Sequence, residues 1–131
     1  MTFNEMFNFK GEGDELHGTH VAGTIAALTN NGQGVAGVAY GAQVVPVRVL
    51  GKCGGYLSDI SDGIVWASGG TVTGVPANAN PAQVINMSLA GPKNQILEAA
   101  ISHAVNAGII VVAAVGNDGP SAAPLYPAAY D

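Results

Sequence analysis

The sequence predicts an α/β fold: a parallel β-sheet with helices on both faces. Three observations predict it. Val44 to Leu50, Gln83 to Ser88 (QVINMS) and Ile109 to Val115 (IIVVAAV) are short apolar runs without the polar alternation of a half-exposed strand. The segments between them place apolar residues at helical spacing. The two kinds of segment alternate along the chain, the order that builds parallel sheets through helical crossovers.

Met1 to Glu15 is polar, with Gly11 and Gly13 among charges and no clean period, and reads as a loop or loosely attached arm carrying little of the core. Residues 1–15 are therefore set apart from one domain over residues 16–131. His17 to Leu28 (HGTHVAGTIAAL) suits a helix whose small side chains let it lie close to a sheet, and Asn30-Asn31-Gly32 ends it. Val44 to Leu50 is β-branched and contains Pro46, tolerable where the ladder does not need an N–H. Ser58 to Ala67 opens with cap-type residues and puts Ile60, Ile64 and Trp66 on roughly one face of a short amphipathic helix. Ser68 to Pro81 is Gly, Pro and Asn punctuation. Ile96, Leu97, Ala100, Ile101, Ala104 and Val105 then follow the helical period up to Gly108.

Bulk properties narrow the function classes. A length of 131 residues suggests one domain, and 48% hydrophobic against 10% charged residues with 19 glycines suggests tight packing of small side chains. The net charge of −5, from four Lys+Arg and nine Asp+Glu, leaves no basic stripe for nucleic acid and no polybasic patch for an acidic membrane. Cys53 is the single cysteine, which excludes an internal disulfide and a cysteine-rich zinc site. No stretch approaches the roughly 18 uninterrupted apolar residues of a membrane span, and Met1 to Lys10 carries no export-signal pattern, so a soluble chain is expected.

In open parallel sheets, function gathers beyond the carboxyl ends of the strands. The loop after Val115 reads Gly116-Asn117-Asp118-Gly119, an asparagine delivered by a buried strand into a glycine-flanked turn; it is either a cleft donor or a residue tolerated in a tight turn. His17-Gly18-Thr19-His20 puts two imidazoles on one helix face, able to hold a metal ion or a catalytic proton, or merely to cap and pack a helix start. Asp14 is the candidate third ligand of such a metal site. His103 falls on the outer face of its helix and reads as solvated.

In this order the segments resemble the subtilases, the subtilisin-like serine proteases, from His17 onward. His17-Gly18-Thr19-His20-Val21-Ala22-Gly23 resembles the family's histidine signature, Val84-Ile85-Asn86-Met87-Ser88-Leu89 its substrate-lining strand, and Ala113-Ala114-Val115-Gly116-Asn117 its oxyanion segment. Val47 to Trp66 is similar to a second substrate edge and the helix behind it, above all as bacterial secreted members write it. The resemblance implies a truncated subtilisin-like fold. It makes His17 the general base and Asn117 an oxyanion donor, with His20 structural. It implies that Gly54, Gly55 and Tyr56 on one side, and Ser88, Leu89 and Ala90 on the other, hold an extended polypeptide substrate by main-chain hydrogen bonds. It implies no cofactor beyond a weak structural calcium near Leu28 and Asn30.

Two departures shape the expectation. Ala90 stands where the family commonly has glycine, and its methyl would crowd a peptide passing closely over that edge. The family's aspartate segment and its Gly-Thr-Ser-Met-Ala nucleophile segment have no counterpart in these residues: Asp14 lacks a preceding apolar strand, and Ser121 sits in an unrelated Gly-Pro-Ser-Ala-Ala turn. The isolated chain is thus expected to be a serine-endopeptidase fragment with little or no turnover. Alternatives are a peptide-binding pseudo-protease and a metal-binding protein using His17 and His20. Unpaired strand edges further predict a homo-oligomer.

Overall fold

The structure is a computed structural model that describes residues 2–7, by their backbone, together with residues 17–51 and 54–130. Its elements are β1 (Thr2–Phe7), α1 (His17–Ala26), β2 (Gln43–Pro46), α2 (Leu57–Ala67), β3 (Val84–Ser88), α3 (Gln95–Asn106) and β4 (Ile110–Ala113). The four strands form one parallel sheet in the order β2-β1-β3-β4. From β1 the chain moves outward to β2, then reverses across β1 to reach β3 and β4. Right-handed crossovers turn that reversal into two helical layers, α1 on one face and α2 with α3 on the other. In agreement, α1 packs on β1 and β2, while α2 packs against α3.

The core lies between the sheet and the α2–α3 layer. Ile85 and Met87 of β3 are fully buried there against Ile60, Ile64 and Ala67 of α2 and Leu97, Ala100 and Ala104 of α3. Alanines on α3 leave no thick side chains between helix and sheet, so the layers approach closely. Asn94 caps α3, its Oδ1 accepting from the backbone N–H groups of Ile96 at 2.9 Å and Leu97 at 3.2 Å, a cap typically worth about 1 kcal/mol. Gly108, at φ +82°, ends the helix in the left-handed conformation that its lack of Cβ permits.

Several expectations need correction. Met1 to Glu15 was expected to be a loop or arm, yet residues 2–7 form β1 in the middle of the sheet, Phe3 to Phe7 running level with Val84 to Ser88. Asn4 and Glu5 interrupt the apolar run that marks a central parallel strand, so pairing on both sides, not side-chain pattern, declares this strand. The remainder of that segment, with Asp14, lies outside the described residues, as does Cys53. The strand expected over Val44 to Leu50 stops at Pro46. β2 is an edge strand, where a missing N–H is tolerated.

The helix expected to open on the cap-type residues at Ser58 instead begins at Leu57, with Tyr56 as N-cap and no side-chain cap bond. On α3, Ile96 and Val105 are exposed, the buried stripe being only Leu97, Ala100 and Ala104. Helices on both faces of the sheet would cover β4 as well, but Ile110 and Val112 are 62% and 48% exposed. The cause is the position of α1: it lies over β1 and β2, leaving that face of β4 uncovered.

Candidate functional site

Parallel strands end on the same edge, and the switch of chain direction falls between β1 and β3, whose connections leave in opposite directions. A crevice forms at such a point outside the carboxyl ends. Phe7 and Ser88 are the last register pair of β1 and β3, so the two strands finish level.

His17 is the first residue of α1, which follows β1 in the chain. The residue is half-buried, and its Nε2 is buried with no hydrogen-bond partner among the described residues. A polar atom withdrawn from water without a partner costs on the order of 1–3 kcal/mol, and such atoms are retained where a reacting group or a further hydrogen bond engages them. His20, three residues on, is exposed; its carbonyl oxygen accepts from the Thr24 hydroxyl at 3.1 Å. Among the described residues no group of three or more His, Cys, Asp or Glu side chains gathers as a metal centre would require.

Ser88 closes β3, half-buried, its hydroxyl accepting from the Asn86 side-chain amide at 2.9 Å. Leu89 is buried beneath this edge and Ala90 half-exposed on it. On the other side, Gly51 and Gly54 exchange backbone hydrogen bonds at 2.9 and 3.1 Å, a tight reversal that holds Gly54 at φ +100°. At Gly55 a Cβ would collide with the Val49 carbonyl oxygen and the Leu50 side chain, so only glycine lets the chain pass here. Tyr56 follows and is 78% exposed.

Asn117 follows β4 by four residues and is exposed, between Gly116 at φ +99° and Gly119 at φ +98°. A cavity of about 240 Å³ opens within its loop, lined by Val115, Gly116, Asp118, Gly119 and Pro124 among others. The loop is anchored from beneath by the Leu125 N–H donating to the Val115 carbonyl at 2.9 Å, with the Leu125 side chain against Gly116.

Sequence reasoning missed the segment that ties these pieces together. Tyr126 exchanges backbone hydrogen bonds with Gly91 at 2.8 and 3.2 Å, one residue beyond Ala90. The Tyr130 hydroxyl accepts from the Asn94 N–H at 3.0 Å and donates to the Asn94 carbonyl at 2.7 Å. Lys93 lies over the Tyr126 ring, 5.8 Å from its centroid. Residues 125–130 thus join the Ser88–Ala90 edge to the Asn117 loop. The one available signal was Leu125-Tyr126-Pro127, a bulky apolar triplet in an otherwise small-residue stretch.

The loop near Leu28 and Asn30 has Asn30 at φ +61° and carries no acidic side chain. Calcium takes about six to eight oxygen ligands and favours carboxylates, so these two residues do not by themselves make a fitting site.

Comparison with known proteins bears on the whole of this edge. The model of the subtilase family matches residues 5–131. An extracellular protease of Xanthomonas campestris pv. campestris is 66% identical over 114 residues, 86% of this chain and 20% of that protein. An extracellular basic protease of Dichelobacter nodosus is 59% identical over 113 residues, 85% of this chain and 19% of its own length. A solved protease structure from Pseudoalteromonas arctica superposes with a TM-score of 0.76 at 65% identity, covering 80% of this chain and 32% of that one. The chain therefore spans about a fifth of the first two relatives. With His17, the Ser88 edge and Asn117 all at the carboxyl end of one parallel sheet, and the family model running through all three, this chain belongs to the subtilase family.

Proposed function

We propose that this chain is part of a subtilisin-like serine endopeptidase and carries the base, the oxyanion donor and the peptide-holding edges of its site. His17 takes the proton from the attacking hydroxyl and returns it to the leaving amine. Asn117 donates to the oxyanion of the tetrahedral intermediate. Gly54 to Tyr56 and Ser88 to Ala90 flank an extended polypeptide, which pairs with them through its main chain. The observation that carries this reading is the Nε2 of His17 at the start of α1, buried and without a hydrogen-bond partner among the described residues. The parent protein acts outside the cell on this reading, as the names of its relatives state for them; fractionation of the producing cells tests that.

On its own, the 131-residue chain binds extended peptide without hydrolysing it, because these residues present no nucleophile segment of the family's kind. Isothermal titration with an unstructured peptide tests the groove. Wild type binds, whereas Ala90→Trp, filling the edge, and Tyr56→Ala, removing an exposed ring that the fold does not need, both weaken binding. A folded wild type that binds nothing would remove the groove, and inhibitor-sensitive cleavage by the isolated chain would refute its inactivity.

The isolated chain also self-associates on this reading. Among the described residues β4 is a sheet edge, its Ile110 and Val112 are exposed and so is Val115 just beyond it, the arrangement that templates pairing with another chain. Sedimentation is expected to show oligomers that Val112→Lys dissociates. A monodisperse wild-type monomer would contradict this.

A further inference from the structure

The loop between α1 and β2 contains the only Asn-Gly pair in the sequence, Asn31-Gly32. Residues 30–36 are exposed without a break. The base of the loop is closed by Gly37, whose N–H donates to the Ala27 carbonyl at 3.0 Å, and by the N–H groups of Val38 and Ala39, which donate to Thr24 and Ile25 of α1. Only glycine fits at Gly37, because a Cβ there would run into the backbone of Ala26 and Ala27. The tip is therefore held out in solvent on a fixed base.

At the tip, the Gln33 N–H donates to Asn31 Oδ1 at 3.0 Å. This Asx turn folds the side-chain amide back along the backbone that follows it. The peptide nitrogen between Asn31 Cγ and that donor belongs to Gly32. Gly32 has no side chain to obstruct approach, sits at φ +70°, and has open space where a Cβ would be. When the Gly32 nitrogen attacks Asn31 Cγ, negative charge develops on Oδ1, the atom to which Gln33 already donates. A donor fixed in advance at that position lowers the barrier, as it does in any tetrahedral addition.

We propose that Asn31 is a site of spontaneous deamidation, promoted by the Gln33 N–H on its Oδ1 and by the bare Gly32 nitrogen. A bond forms from the Gly32 nitrogen to Asn31 Cγ, the Cγ–Nδ2 bond breaks, and ammonia leaves with the proton given up by the Gly32 nitrogen. Water then opens the cyclic imide at either carbonyl, giving aspartate or isoaspartate at position 31. The product adds one negative charge to a loop that had none and, in the isoaspartate form, one methylene to its backbone. The contacts at the loop base involve Gly37 to Ala39 and not the tip, so the fold survives the change.

The test is incubation of the folded 131-residue chain at mildly alkaline pH beside Asn31→Gln and beside an unstructured peptide of residues 27–37. Peptide mapping by mass spectrometry follows amide-to-acid conversion, isoaspartyl methyltransferase labelling follows the rearranged product, and circular dichroism confirms the fold. The expected result is conversion at Asn31 in the folded chain at least as fast as in the peptide, with both products formed and neither seen at position 31 of Asn31→Gln. Conversion slower in the folded chain than in the peptide overturns the proposal, because the turn would then be protecting the amide.

Discussion

His17→Ala, made in a chimera in which this chain replaces the matching stretch of the Xanthomonas campestris extracellular protease, is expected to lower kcat by about a million-fold while KM stays within a few-fold. That magnitude is the one known for subtilisin's own histidine and does not come from this geometry. The geometry argues that the effect falls on chemistry. His17 Nε2 is buried and bonded to nothing among the described residues, so removing that atom breaks no hydrogen bond to them. Alanine is the best helix former, and α1 starts at this position, so the helix itself persists. Steady-state hydrolysis of a fluorogenic peptide measures both constants. A loss of less than about tenfold, far short of what removing a general base costs, would take His17 out of the reaction.

Asn117→Ala in the same chimera is expected to lower kcat by about 10²–10³-fold, a cost that likewise belongs to subtilisin itself, where it is known for an oxyanion donor. Here the sign of the KM change discriminates. A donor aimed at charge present only in the transition state lowers kcat and kcat/KM together and leaves KM unchanged. Asn117 is exposed on a loop whose shape is set by Gly116, Gly119 and the Leu125 anchor, none of which the truncation touches. A raised KM with unchanged kcat would make Asn117 an ordinary substrate contact.

How far the site was legible differs from one residue to the next. The turn that holds Asn117 could be placed because a continuous apolar strand runs into a glycine-flanked stretch, a local pattern with a local cause. Tyr130 could not. Its role is a pair of hydrogen bonds to Asn94, 36 residues away in sequence, and no periodicity encodes a contact of that separation. The helix starts were legible to within a residue because spacing and stop signals are short-range, whereas the exposure of Ile96 and Val105 depends on where α2 lies against α3.

The sequence by itself determined the alternation of strands and helices, the parallel α/β class, and the order of the His17, Ser88 and Asn117 segments, since each follows from side-chain pattern within a few residues. Only the tertiary structure decided that residues 2–7 form a strand between β2 and β3. It also decided that one face of β4 is bare. Both depend on partners far along the chain: backbone pairing can hold a polar segment in a sheet, and the place of α1 sets which strands it covers. That placement brings His17 and Ser88 to the same edge at the switch point.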